Sequence, residues 1–172
     1  MSPEGRAVSR TNMAMTPWEQ LQLAIQQAAE KATEDGEATG HHPNGKPWFC
    51  YPMKAGKFHG VCTVWNQNGQ ITSEQPYSDG KLHGIAREWR EDGTPQREDT
   101  YVNGVLDGPS YWFLNGKVRE KAYYQAGRLH GTCQSFADDG KTVKSEDRFV
   151  RGAHIPKGIR VRQETGNLSA GA

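Results

Sequence analysis

The sequence has little cysteine, a small apolar fraction and no long hydrophobic run. Its three cysteines, Cys50, Cys62 and Cys133, are spread over 172 residues. An odd count, with no apolar signal segment in MSPEGRAVSRTN, points to a reducing compartment, so a cytoplasmic protein is expected. No stretch of about 18 apolar residues occurs, so no transmembrane helix is expected. Hydrophobic residues make up 34% of the chain, against about 45–50% in globular domains on a scale that also counts glycine. Twenty glycines fill part of that gap. The balance disfavours a thick two-layer core and suits a thin sheet. Charge is not skewed either: 21 Lys and Arg face 20 Asp and Glu. With no long basic run, nucleic acid is excluded as a first choice of partner and an anionic membrane is disfavoured. The strings GxSxG, CxxC and the P-loop are missing, so no catalytic residues are assigned and no cofactor is expected.

What the chain does have is a ruler. Gly36, Gly60, Gly84 and Gly108 recur at a 24-residue step, and Gly131 follows after 23. KFHG, KLHG, VLDG and RLHG lead into the last four, and Trp65, Trp89, Phe113 and Phe136 each follow five residues later. A fixed period of this size signals stacked repeats, with each repeat one supersecondary unit. Asn44-Gly45, Asn68-Gly69, Asp92-Gly93, Asn115-Gly116 and Asp139-Gly140 supply the positive φ angles of tight hairpins. Ala55-Gly56, Asp79-Gly80, Asn103-Gly104, Ala126-Gly127 and Arg151-Gly152 mark a second set of turns between them. Turns this frequent leave room for about ten antiparallel strands. The expected fold is an all-β repeat, a single-layer antiparallel meander with one N-terminal helix.

Four segments follow. Residues 1–15 are polar and read as a disordered leader, with Met1, Met13 and Met15 all candidate starts. Residues 16–35 read as a capping helix: Thr16 is the N-cap, Pro17 the first helical residue, and Glu19 completes a capping box. Trp18, Leu21, Ile25, Ala28, Ala29 and Ala32 give one apolar stripe, which Gly36 ends. Residues 36–158 form the array of about five hairpins. Residues 159–172 are a tail, in which IRVRQ could add a last strand.

YSDGKLHGIAREWREDG (77–93) and YVNGVLDGPSYWFLNG (101–116) resemble the longer variant of the MORN repeat: an aromatic, a turn glycine three later, a second glycine four later, an aromatic five later, and a hairpin glycine. The resemblance covers roughly residues 36–156, with a first copy in which His41 and Met53 take the aromatic places. It implies a non-catalytic protein-binding module. Proteins built from this variant are often YwqK-like antitoxins or immunity proteins, and that implies a bacterial antitoxin that neutralises a cognate toxin by steric binding. The alternative is a MORN scaffold on a membrane surface or a structural partner.

The step also weighs the candidate sites. Equivalent positions lie two strands apart, about 9–10 Å. His59, His83 and His130 share one repeat position but are too widely spaced to share a metal ion. Glu74, Glu98, Glu120 and Glu146 suit cross-strand charge pairing better than acid–base work. Cys50 and Cys62 flank the Gly56 turn and can face each other across a strand pair, while Cys133 is out of reach. Trp65, Trp89, Phe113 and Phe136 form one ladder; Phe58, Leu82, Leu106 and Leu129 form another. A bulge at Gly60, Gly84, Gly108 and Gly131 is expected to bring both ladders to one face. Trp112, Tyr111, Arg87, Trp89 and Trp65 are the candidate partner anchors beside that apolar groove. The open edges of the sheet also allow an edge-strand dimer.

Overall fold

The computed structural model describes residues 15–157. The expected leader falls almost wholly, and the expected tail entirely, outside that range. Helix α1 (Pro17–Lys31) opens the described chain. The strands follow as β1 (Glu37–His41), β2 (Pro47–Lys54), β3 (Lys57–Phe58), β4 (Gly60–Trp65), β5 (Ile71–Ser78), β6 (Lys81–Leu82) and β7 (Gly84–Trp89). Then come β8 (Pro95–Val102), β9 (Val105–Leu114), β10 (Lys117–Gln125), β11 (Arg128–Leu129), β12 (Gly131–Phe136), β13 (Val143–Val150) and β14 (Ala153–Ile155). They form one antiparallel meander in the order β1-β2-β4-β5-β7-β8-β9-β10-β12-β13-β14, with β3, β6 and β11 paired to β2, β5 and β10. Fourteen strands replace the expected ten or so, largely because three hairpin arms are split in two at a histidine–glycine step.

That step has an even length, which decides the faces. Met53 lies opposite Phe58, but Phe49 lies opposite Val64, so two extra residues enter the β3–β4 arm. The same offset separates Tyr77↔Leu82 from Ser73↔Glu88, Tyr101↔Leu106 from Asp99↔Ser110, and Tyr124↔Leu129 from Lys121↔Gln134. One extra residue would flip every following side chain; two leave the alternation intact. The expected merging of the two ladders is therefore wrong. Phe58, Leu82, Leu106 and Leu129 occupy one face, and Trp65, Trp89, Phe113 and Phe136 the other. One-residue bulges do occur, at Trp48, Thr72, Gln96, Arg119 and Lys144, but on the return arms, where they cannot move the Trp ladder. The same alternation puts Cys62 beside Val64 and Cys50 on the opposite face, so the two do not face each other, and all three cysteines are free.

The core sits at the N-terminal end. Ala38, Phe49, Tyr51, Cys62 and Val64 are buried together, with Leu21, Ala24, Ile25, Ala28, Ala29 and Ala32 of α1 packed onto them. The helix starts as the sequence predicts. Thr16 accepts from the Glu19 backbone N–H, and Glu19 accepts in return from the Thr16 N–H at 2.7 Å. It stops at Lys31, earlier than expected. Ala32 turns to extended backbone (φ −73°, ψ 152°) while its N–H still bonds Ala28 and Ala29. The chain then turns through Thr33–Gly36 into β1.

The turns stitch neighbouring repeats together. The Gly80, Gly104, Gly127 and Gly152 amides donate to the Phe58, Leu82, Leu106 and Leu129 carbonyls at 2.7–2.9 Å. The recurring histidine works in the same seam. Nδ1 of His59 accepts from the Asp79 amide at 3.5 Å, and Nδ1 of His83 from the Asn103 amide at 3.4 Å. Asp107, the substitute in the next copy, accepts from the Ala126 amide through Oδ2 at 3.4 Å. An acceptor at this position holds the following turn, which is why a carboxylate can replace an imidazole there.

Candidate partner-binding surface

The face on which α1 lies, here the helix face, has a second layer only over the first repeats. Past the helix edge it is open. Trp18 and Ile25 of α1 form one wall of a groove whose floor is Tyr51, Met53, Phe58, Tyr77 and Leu82, with a volume of about 690 Å³. The rings of Tyr51, Phe58 and Tyr77 meet there at centroid distances of 5.0–6.4 Å. Burial pushes the Tyr51 and Tyr77 hydroxyls above the ordinary tyrosine range, Tyr51 the further of the two, so both stay neutral hydrogen-bonding groups. The apolar row continues through the half-buried Tyr101, Leu106, Tyr124, Leu129 and Phe149.

Beside that row the same face turns polar. Asp99 is buried at 5% exposure. Oγ of Ser110, also buried, donates to its Oδ1 at 2.7 Å. Arg97 Nε lies 2.7 Å from the other carboxylate oxygen, in ion-pair contact but not aligned to donate along its N–H. The Arg97 guanidinium also stacks over the Trp112 ring, 5.0 Å from its centroid. Register places Glu88, Arg97, Trp112 and Glu120 in one row across four adjacent strands.

The opposite, open face carries the other candidates. Arg87 pairs with Glu98 at 3.0 Å, and Lys121 sits over the Tyr111 ring at 5.7 Å. Tyr111 and Phe113 are 6.4 Å apart. The five candidate anchors are thus divided. Trp112 lies on the helix face, whereas Tyr111, Arg87, Trp89 and Trp65 lie on the open face. No single groove brings them together. Expecting both ladders on one face hid that the Trp ladder lies away from the apolar groove; Tyr111 and Trp112, as adjacent residues of a strand, point apart whatever the length of the step.

Asp99 and Ser110 were missed from sequence. A signal existed for Ser110. Its repeat position holds Cys62, Ala86 and Cys133 in the other copies, and a hydroxyl there is the departure that a buried carboxylate on the next strand needs. None of the described helices is long and apolar enough to cross a membrane. Residues 58–79 and 82–103 each match the family model described as a MORN repeat variant, so two adjacent repeats carry the expected signature. No curated protein matches the chain.

Proposed function

We propose that the chain is a non-catalytic protein-binding module acting as a bacterial antitoxin or immunity protein, which neutralises a cognate toxin by covering its working surface. The observation that carries the binding role is the uncovered stretch of the helix face. Past α1, one layer of sheet leaves a row of tyrosines and leucines half-exposed, next to a tryptophan whose orientation is fixed by a stacked arginine. Tryptophan, tyrosine and arginine supply most interface energy when they sit in pre-ordered surroundings. The two-repeat MORN match is consistent with a binding module, and the antitoxin role rests on resemblance to the longer repeat variant. Trp112 is the anchor on the helix face; Tyr111, Arg87, Trp89 and Trp65 are anchors available to a partner on the open face. Three free thiols suit a reducing cytoplasm.

The test is genetic and physical together. Expressing the product of the adjacent reading frame alone is expected to arrest growth, and co-expressing this chain to restore it, with the two proteins co-eluting on gel filtration. If deleting this gene in a strain that carries the neighbour leaves growth unchanged, the antitoxin role falls.

A further inference from the structure

The chain is nearly neutral overall, yet within the central row of the helix face, Glu88–Arg97–Trp112–Glu120, the exposed charge is one-sided. Arg97 is the cation of the central row, and it is spent on buried Asp99 at 2.7 Å. Glu88 and Glu120, the outer members of that row, are exposed. They stand three strand spacings apart, about 14 Å, on either side of the Arg97–Trp112 stack. Parallel to them runs the tyrosine and leucine row, in which tyrosine faces leucine across neighbouring strands and each type recurs every two strands, about 10 Å. Seven residues of an α-helix rise about 10.5 Å, so a heptad-spaced apolar stripe keeps step with that row, and cations about ten residues apart span the two glutamates. α1 already shows that this face accepts a helix through an apolar stripe. A second copy's α1 does not complement the site, because its charged residues are Glu19, Glu30 and a single Lys31.

We infer that the helix face beyond α1 docks a basic amphipathic helix of a partner protein, its apolar stripe on the Tyr101–Leu106–Tyr124 row and its Lys or Arg side chains on Glu88 and Glu120, next to Trp112. The inference rests on the protein-binding reading and names its face and chemistry.

The probe is an 18-residue synthetic peptide with leucines at heptad spacing and lysines elsewhere, compared with the same peptide carrying glutamates for lysines. The readout is the set of five tryptophan indole N–H signals of the ¹⁵N-labelled full chain. The lysine peptide is expected to move the Trp112 signal and leave Trp65 and Trp89 in place, while the glutamate peptide moves neither. Glu88→Gln with Glu120→Gln is expected to weaken binding roughly three- to tenfold at low salt, the scale for two exposed charge pairs. Both positions are solvent-facing, and an unchanged circular dichroism spectrum shows that the variant is folded. Equal binding of both peptides, movement of Trp65 and Trp89 in place of Trp112, or no effect of the double variant each overturns the inference. So does a Trp112 response to anionic vesicles but not to the lysine peptide. If growth rescue fails while Trp112 still answers the lysine peptide, the antitoxin role falls and the docking face stands. If rescue by the double variant is undiminished and Trp112 ignores the peptide, the docking face falls and the antitoxin role stands.

Discussion

Gly40 lies under the ring of Phe49, and a methyl group there would fall 2.3 Å from Phe49 Cε1. Phe49 is 2% exposed and belongs to the buried cluster beneath α1, so it has little room to move aside. Gly40→Ala is therefore expected to destabilise the protein by about 1–3 kcal/mol, the usual cost of overpacking a core. Urea unfolding would read this as a lower midpoint with an unchanged slope; a midpoint within error of the parent would mean that the ring gives way freely. Gly40 does not follow the 24-residue step, and its need for a bare Cα is invisible until Phe49 is placed across the strand. The histidines are the reverse case. Their spacing alone showed that they cannot share a metal ion, and the structure adds what His59 and His83 do for the next turn.

At the scale of the element, α1 is the piece most fully written in local sequence. Its start depends on Thr16, Pro17 and Glu19, all within one turn, and that turn forms as read. Thr16→Ala is expected to cost about 1 kcal/mol. The Thr16 N–H, and then its hydroxyl, hold the Glu19 carboxyl below the ordinary carboxylate range. A depressed value of this kind contributes stability above the unfolded pKa and loses it as pH falls through the folded one. The penalty of Thr16→Ala is thus expected to be largest near neutral pH and to shrink in acid, which thermal melts of both proteins at pH 7 and pH 3 would show. An equal penalty at both would mean that the bond from the Thr16 hydroxyl to the Glu19 carboxylate contributes nothing.

The helix end was not legible in the same way, because Ala32 leaves the helix to reach β1, a tertiary demand. Strand parity was not legible either. Turn glycines fix where arms begin and end, but whether an irregularity adds one residue or two shows only in pairs such as Phe49 with Val64. The consequence reached the site: an error of one residue in that count set the Trp ladder beside the apolar groove, whereas Tyr111, Arg87, Trp89 and Trp65 lie on the other face.

For the whole molecule, burial is graded along the stack. The first arms hold Ala38, Phe49, Tyr51, Cys62 and Val64, whereas β13 is exposed along most of its length. Repeats touch only their neighbours, so stability adds up locally and ends can open alone. Amide exchange is expected to be slowest in β2 and β4 and fastest in β13 and β14. Uniform protection across the sheet would show that the stack opens as a single unit instead.

The even step at the histidine–glycine pair bears on how such a chain can change length. Excising or duplicating one 24-residue unit leaves every downstream side chain on the side it already occupied. The shortened fourth hairpin follows the same logic: Asn115-Gly116 closes a two-residue loop where Asn66 and Gln70 bracket three, yet Phe113 still meets Val118 as Trp65 meets Ile71. Length can vary by whole units, or by single residues at the loops, without turning the sheet inside out. The two surfaces can therefore follow separate histories, one adapting to a new contact while the other is kept unchanged.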